Sequence, residues 1–237
     1  MFPIYKREML AYYTSPIGYI FMAVLLVLSG ILFSFTTVWM RTVDTSAYFV
    51  AILFLFSILI PLLTMKQFSE ERKSKTEQLL LTAPVSIFGI VFAKFFAAFT
   101  VFAGSFILSA FINFTTLAVV TGKELNLALI VGSSVGILLI GAAFIAVGVF
   151  MSSLTENQVI AAVTTFGVIL FMLLFFLIPS FIKTPFIREV LRWFSVIDRY
   201  QYFTSGIFSL PAILYFFSLS VIFLFLTTRI YEMRRWN

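Results

Sequence analysis

The chain has 237 residues and a mass of 26.9 kDa; 62% of its residues are hydrophobic, 19% aromatic and 11% charged, and its mean hydropathy is +1.10. A soluble domain carries roughly 25% charged residues, so a water-soluble globule is excluded. Disorder, which needs low hydrophobicity and high charge, is excluded too. An integral membrane protein remains.

Cysteine and histidine are both missing from the sequence. That removes disulfides, thiolate chemistry, the commonest general base and the commonest ligands for zinc or copper. We expect no metal site and no catalytic residue. The net charge is +6 and the pI near 9.7. In a membrane protein this reads as basic loops at an anionic cytoplasmic leaflet, not as nucleic-acid binding.

Residues 2–15 predict an interfacial helix. Phe2, Tyr5, Met9, Tyr12 and Tyr13 fall on one face, and Arg7, Glu8, Ala11 and Thr14 on the other. A plain cytoplasmic tail is the alternative. Six apolar stretches then reach the length of about 20 residues that a spanning helix needs. They are residues 17–39, 47–65, 88–120, 126–151, 157–178 and 211–228. In hydrocarbon every backbone group must be paired, so continuous stretches of this length predict helices rather than barrel strands. With the amino terminus inside, ten Lys and Arg residues lie on the cytoplasmic side and six outside. Both termini are therefore expected in the cytoplasm.

Between the second and third spans lies KQFSEERKSKTEQLLLTAPVS, residues 66–86. Seven of its first twelve residues are charged. Glu71–Lys75 and Lys73–Glu77 have the i,i+4 spacing that supports a helix. Leu79, Leu80 and Leu81 add an apolar patch, Pro84 ends the helix, and Ser86 is placed to cap the next one. A solvated connector fits the same periodicity. The long outer loop, residues 179–210, is too apolar for an ordinary loop. Phe186, Ile187, Val190, Leu191 and Phe194 share a helical face there. We read this loop as short re-entrant helices, with an aromatic interface belt as the alternative. Phe194, Tyr200, Tyr202, Phe203 and Gly206 are its candidate outer-gate residues.

The six spans hold almost no ionisable residue. Lys94 is the exception, near enough to the cytoplasmic end to snorkel. Ion-coupled carriers place such groups within their spans, and no phosphate-binding G-x-x-x-x-G-K-[ST] loop is present. Energy for any transport must then enter from another polypeptide through a cytoplasmic surface. Gly132, Gly136, Gly141 and Gly148 in the fourth span allow close helix approach, within the chain or across a dimer. Asn113, Thr115, Thr116, Thr164 and Thr165 are the candidate pathway-lining polar groups.

The segment E-R-K-S-K-T-E-Q-L-L-L-T-A-P-V-S, Glu71 to Ser86, resembles the signature between the second and third spans of ABC-2-type ABC transporter permease subunits. The flavour is that of the gliding-motility and copper-enzyme-maturation group. Phe203, Gly206, Leu214 and Tyr215, and the ending Glu232, Arg234, Arg235 and Trp236, are similar to that group as well. The resemblance spans nearly the whole chain. It implies an all-α integral membrane protein: six transmembrane helices, an N-terminal interfacial helix, a cytoplasmic coupling helix, and re-entrant outer helices before the last span. It implies that Glu71, Arg72, Thr76, Glu77, Leu80 and Pro84 match the coupling motif. Glu70, Lys73, Lys75 and Leu79 complete the expected ATPase-coupling surface. The implied partners are ABC ATPase subunits carrying ATP and Mg, a second permease copy or homologous permease, and membrane lipid. The implied place is a prokaryotic inner membrane, and the implied activity is export. A non-transporting scaffold or assembly factor, and a stand-alone ion-coupled carrier, are the alternatives.

Overall fold

A computed structural model describes residues 2–40, 42, 44–78, 85–121 and 126–236. Among them there is no strand. These helices follow one another among the described residues: α1 (Phe2–Thr14), α2 (Pro16–Phe33), α3 (Ser46–Thr64), α4 (Ser69–Lys73), α5 (Ile87–Thr121), α6 (Leu127–Leu154), α7 (Gln158–Leu174), α8 (Pro185–Phe194), α9 (Val196–Thr204) and α10 (Leu210–Trp236). A π-type turn, Ser34–Val38, prolongs α2, and a 3₁₀ segment, Phe175–Phe181, prolongs α7. Six of these helices (α2, α3, α5, α6, α7 and α10) are long and apolar enough to cross a membrane.

Local chemistry sets the helix ends. Pro16 and Pro185 open α2 and α8, where the missing N–H would have had no partner anyway. The side chains of Asn126 and Asn157 accept from the backbone N–H of Leu129 and Val159, capping α6 and α7. Ser86 Oγ accepts from Gly89 N at 3.2 Å, as its position before α5 predicts. The last helix continues to Trp236, past the predicted end at Thr228.

Packing places α3 and α6 at the centre. Of their apolar windows 61% is buried, against 22–28% for α2, α7 and α10, which therefore form the rim. α6 is flanked by α3, α5, α7, α9 and α10. The aromatic residues interlock: Phe56 meets Phe102 edge-on at 4.9 Å between ring centroids, and Phe33 meets Tyr48 at 5.1 Å. Gly141 is what lets the Phe102 ring lie against α6, because a Cβ there would overlap that ring. Gly136 does the same for Tyr200 and Phe203, whose ring atoms and Cβ a methyl would approach to 2.8–2.9 Å.

The candidate packing glycines thus serve contacts within the chain. Gly132 and Gly136 face α9, Gly141 faces α5, and Gly148 faces Thr64 of α3. Gly141→Val is expected to lower the melting temperature, with an overpacking cost of about 1–3 kcal/mol. Gly30→Ala, whose added methyl meets nothing within 4 Å, is expected to leave it unchanged or raise it. Circular dichroism melts of the two purified variants in detergent measure the difference.

Candidate functional site: the charged corner

Charged side chains that are far apart in sequence converge at one end of the bundle. The convergence begins with the corner between α3 and α4. Ser152, near the end of α6, accepts from the backbone N–H groups of Phe68 and Ser69 at 3.1 and 3.2 Å. It donates in turn to the carbonyl of Met65 at 3.1 Å. One hydroxyl therefore bonds three backbone groups at the chain reversal, and Ser69 Oγ donates to the Met65 carbonyl as well. Phe68 is buried against Tyr231 of α10, with ring centroids 4.6 Å apart.

This corner aims Gln67 and Glu71 at Lys94, which lies in the second full turn of α5. The Lys94 ammonium donates to the carbonyl of Gln67 at 2.7 Å, to Glu71 at 2.9 Å and to Glu8 at 3.1 Å. Those three bonds use every N–H that an ammonium has. Its side chain is only 1% exposed, and its charge also lies 5.1 Å from the Phe68 ring centroid. Arg7 of α1 completes the set, reaching Glu8 at 2.6 Å and Glu71 at 3.0 Å. Two cations and two carboxylates balance. The expectation that Lys94 snorkels to water is corrected: α1 and α4 bring carboxylates to it, so it is neutralised in place.

Tyr12 locks the same corner. Its hydroxyl donates to the carbonyl of Leu63 at 3.0 Å and accepts from Gln67 Nε2 at 3.0 Å. Burial pushes its phenol above the ordinary tyrosine range. The N-terminal helix therefore presents Ile4, Tyr5, Glu8 and Tyr12 inward, with Ile4, Glu8 and Tyr12 at i, i+4 spacing, while Phe2 and Tyr13 of the predicted apolar face are exposed. Helical periodicity puts Glu8 on the polar face; the buried ammonium draws it in.

The charged segment after α3 divides into two sets. Glu71, Arg72 and Glu77 point back into the chain. Arg72 pairs with Glu156 at 2.9 Å and donates to the carbonyl of Leu154 at 3.1 Å. Glu77 pairs with Arg234 of α10 at 3.2 Å, and Arg234 also donates to the carbonyl of Ser153 at 2.8 Å. Glu70, Lys73, Lys75 and Thr76 are exposed. The predicted i,i+4 pairs Glu71–Lys75 and Lys73–Glu77 do not form. Helix α4 stops at Lys73, Lys75 takes a left-handed φ of 58°, and each glutamate finds a better-placed cation across the fold. Leu79, Leu80 and Pro84 lie outside the described residues.

An open cleft of about 770 Å³ lies beside this node. Arg7, Tyr12, Lys66, Gln67, Glu70 and Glu71 are among its walls.

The other predicted sites are dispersed. Asn113 is buried and donates to Ser29 Oγ at 3.0 Å and Tyr48 Oη at 3.2 Å; Ser29 and Ser109 are also hydrogen-bonded. This network ties α2, α3 and α5 together. Thr115, Thr116, Thr164 and Thr165 bond back to carbonyls of their own helices. Asn113 and Thr165 are buried while Thr115, Thr116 and Thr164 are exposed, so they do not share one surface. Of the outer-gate set, Tyr200 and Phe203 are buried on α6 and Gly206 makes a turn at φ 73°, whereas Phe194 and Tyr202 are exposed. Glu8, Gln67, Ser152 and Arg234 escaped sequence reasoning as site residues. Only Lys94, a lone charge in an apolar span, signalled that partners must exist.

No family model matches this sequence, and no curated protein matches it.

Lys94→Met strands two half-buried carboxylates beside a single guanidinium, and breaking a buried pair costs about 3–5 kcal/mol. The variant is expected to melt far earlier than the native protein by circular dichroism. Adding Glu8→Gln and Glu71→Gln to it is expected to recover much of the loss, because an uncharged node needs no counter-ion.

Proposed function

We propose that this chain is the membrane-spanning permease subunit of an ABC-2-type ABC transporter, working as an exporter with separate ATP-hydrolysing subunits. The resemblance of Glu71–Ser86 to that family's coupling motif supports the reading. The observation that carries it is the two-sided character of the charged segment from α4 to Glu77. Its inward charges are tied to α1, α5, α6 and α10, while Glu70, Lys73, Lys75 and Thr76 face outward. A surface segment anchored this way transmits force applied to its outer face into four other helices.

In this reading α1 lies in the cytoplasmic interface and α4 is the coupling helix. α8 and α9 form the outer re-entrant pair, and both termini are cytoplasmic in a prokaryotic inner membrane. The excess of Lys and Arg on the α4 side supports the orientation. ATP and Mg sit on the partner. Converting a mainly inward-open population to a mainly outward-open one takes about 5.5 kcal/mol of differential binding, which nucleotide closure of two ATPase subunits supplies. Two permease copies enclose the path.

The inward ties change which residues test the idea. Arg72 and Glu77 hold the permease itself together, so the outward cations are the informative ones. Reversing charge in Lys73→Glu with Lys75→Glu is expected to lower the ATPase rate of the co-purified complex at least about tenfold, the scale of one or two lost interfacial charge pairs. The melting temperature of the permease alone is expected to stay unchanged. An ATPase subunit that fails to co-purify with the native chain supports the scaffold reading; solute movement by the chain alone under an ion gradient supports the carrier.

A further inference from the structure

The coupling role leaves the cleft beside α1 unexplained. The cleft sits where α2 begins at Pro16, where α3 ends at Thr64, and two turns into α5 at Lys94. That is the depth at which spanning helices leave hydrocarbon and meet lipid headgroups. Ile17 and Leu63 line it on the apolar side. Ile17 opens onto α2, whose Tyr19, Ile20 and Val27 are exposed.

Three features describe the ligand the cleft fits. First, Gln67 Oε1 and Glu71 Oε2 are buried acceptors with no hydrogen-bond partner among the described residues, and Gln67 is only 5% exposed. The amide cannot turn over, because Gln67 Nε2 donates to the Lys94 carbonyl and to Tyr12 Oη, both at 3.0 Å. Oε1 is therefore the atom left over. Second, the Lys94 ammonium has spent all three of its donors, so it has none left for either oxygen. Third, the wall carries both signs. Lys66 and Glu70 make no ion pair among the described residues. Arg7 uses Nη2 for both of its carboxylates, which leaves the N–H groups of Nε and Nη1.

A ligand complementary to this wall carries an ammonium with N–H donors next to a phosphate. We propose that the cleft binds the phosphoethanolamine headgroup of a membrane lipid. Its ammonium meets Gln67 Oε1, Glu71 Oε2 and Glu70; its phosphate meets Arg7 and Lys66. A choline headgroup has no N–H to give, and a glycerol headgroup has no cation. Choline therefore leaves the buried acceptors unpaired, and glycerol offers them only neutral hydroxyl donors, weaker on a carboxylate than an ammonium. The proposal needs only the cleft and the spans, so it stands or falls apart from the permease reading.

The test uses the full chain, purified in mild detergent and offered phosphatidylethanolamine, phosphatidylcholine or phosphatidylglycerol with identical dioleoyl chains. Retained lipid is counted by native mass spectrometry. Phosphatidylethanolamine is expected to be retained at least about tenfold over the other two, the discrimination that unmade charge-assisted N–H bonds give. Lys66→Gln with Glu70→Gln is expected to bring that preference below about twofold with an unchanged circular dichroism melt. If the double variant melts early, Glu70→Gln alone is read, at an exposed position without an ion pair among the described residues. Displacement of bound lipid by millimolar glycerophosphoethanolamine supports recognition through the headgroup. Equal retention of the ethanolamine and choline lipids, preference for phosphatidylglycerol, or an undiminished preference in the variants overturns the proposal. Binding of the free headgroup without any lipid preference overturns the lipid as its source.

Discussion

A positive charge buried in a bundle of apolar helices is the constraint around which one end of this protein is organised. Lys94 sits in α5 with 1% of its side chain exposed. An ammonium in such a place is tolerated only if every N–H is bonded and the charge is neutralised nearby. The chain meets both conditions by bringing in Glu8 from one helix and Glu71 from another, with the Gln67 carbonyl as the third acceptor. The path of α1 across α5 and the sharp turn after α3 both follow from that demand.

The two ends of the bundle are held by different chemistry. At the charged end, ion pairs and side-chain bonds to backbone carbonyls connect α1, α4, α5, α6 and α10. At the opposite end, aromatic residues do the work against small ones. Tyr200 and Phe203 press on Gly136, Tyr200 donates to the Ser133 carbonyl at 3.3 Å, and Arg199 lies 4.9 Å from the Trp193 ring centroid. Dispersion contacts between apolar groups depend on close approach, which is why Gly136 and Gly141 sit where rings cross α6. Ion pairs tolerate a wetter and more open setting, and the cleft lies on that side.

This division bears on how motion would pass through the molecule. Packed interfaces respond as units rather than by continuous deformation. α4 spans only five residues and has little hydrophobic area of its own, so its position is set by what it is tied to. A displacement of α4 is a displacement of Glu71, and through it of Lys94, Glu8 and Arg7. At the aromatic end the tie to α6 is the packing of Tyr200 and Phe203 and the bond from Tyr200 to the Ser133 carbonyl.

Composition and hydropathy alone determined that six helices long enough to cross a membrane exist and roughly where each begins and ends, because an apolar run of that length has no other way to pair its backbone in hydrocarbon. The glycines of the fourth span and the cap at Ser86 were legible for the same local reason. So was the oddity of Lys94, since a charge stands out against an apolar run. Which carboxylates answer that charge was decided only by tertiary structure. Glu8 and Glu71 are 63 positions apart in the chain and Lys94 a further 23, and helical periodicity carries no information across such distances. The same limit explains Glu77. Spacing paired it with Lys73 on a helix that the fold ends early, and the fold gave it to Arg234, on the last helix, instead. Local pattern specifies elements; the partner of a buried charge is chosen by whichever elements the packing brings within hydrogen-bond distance of it.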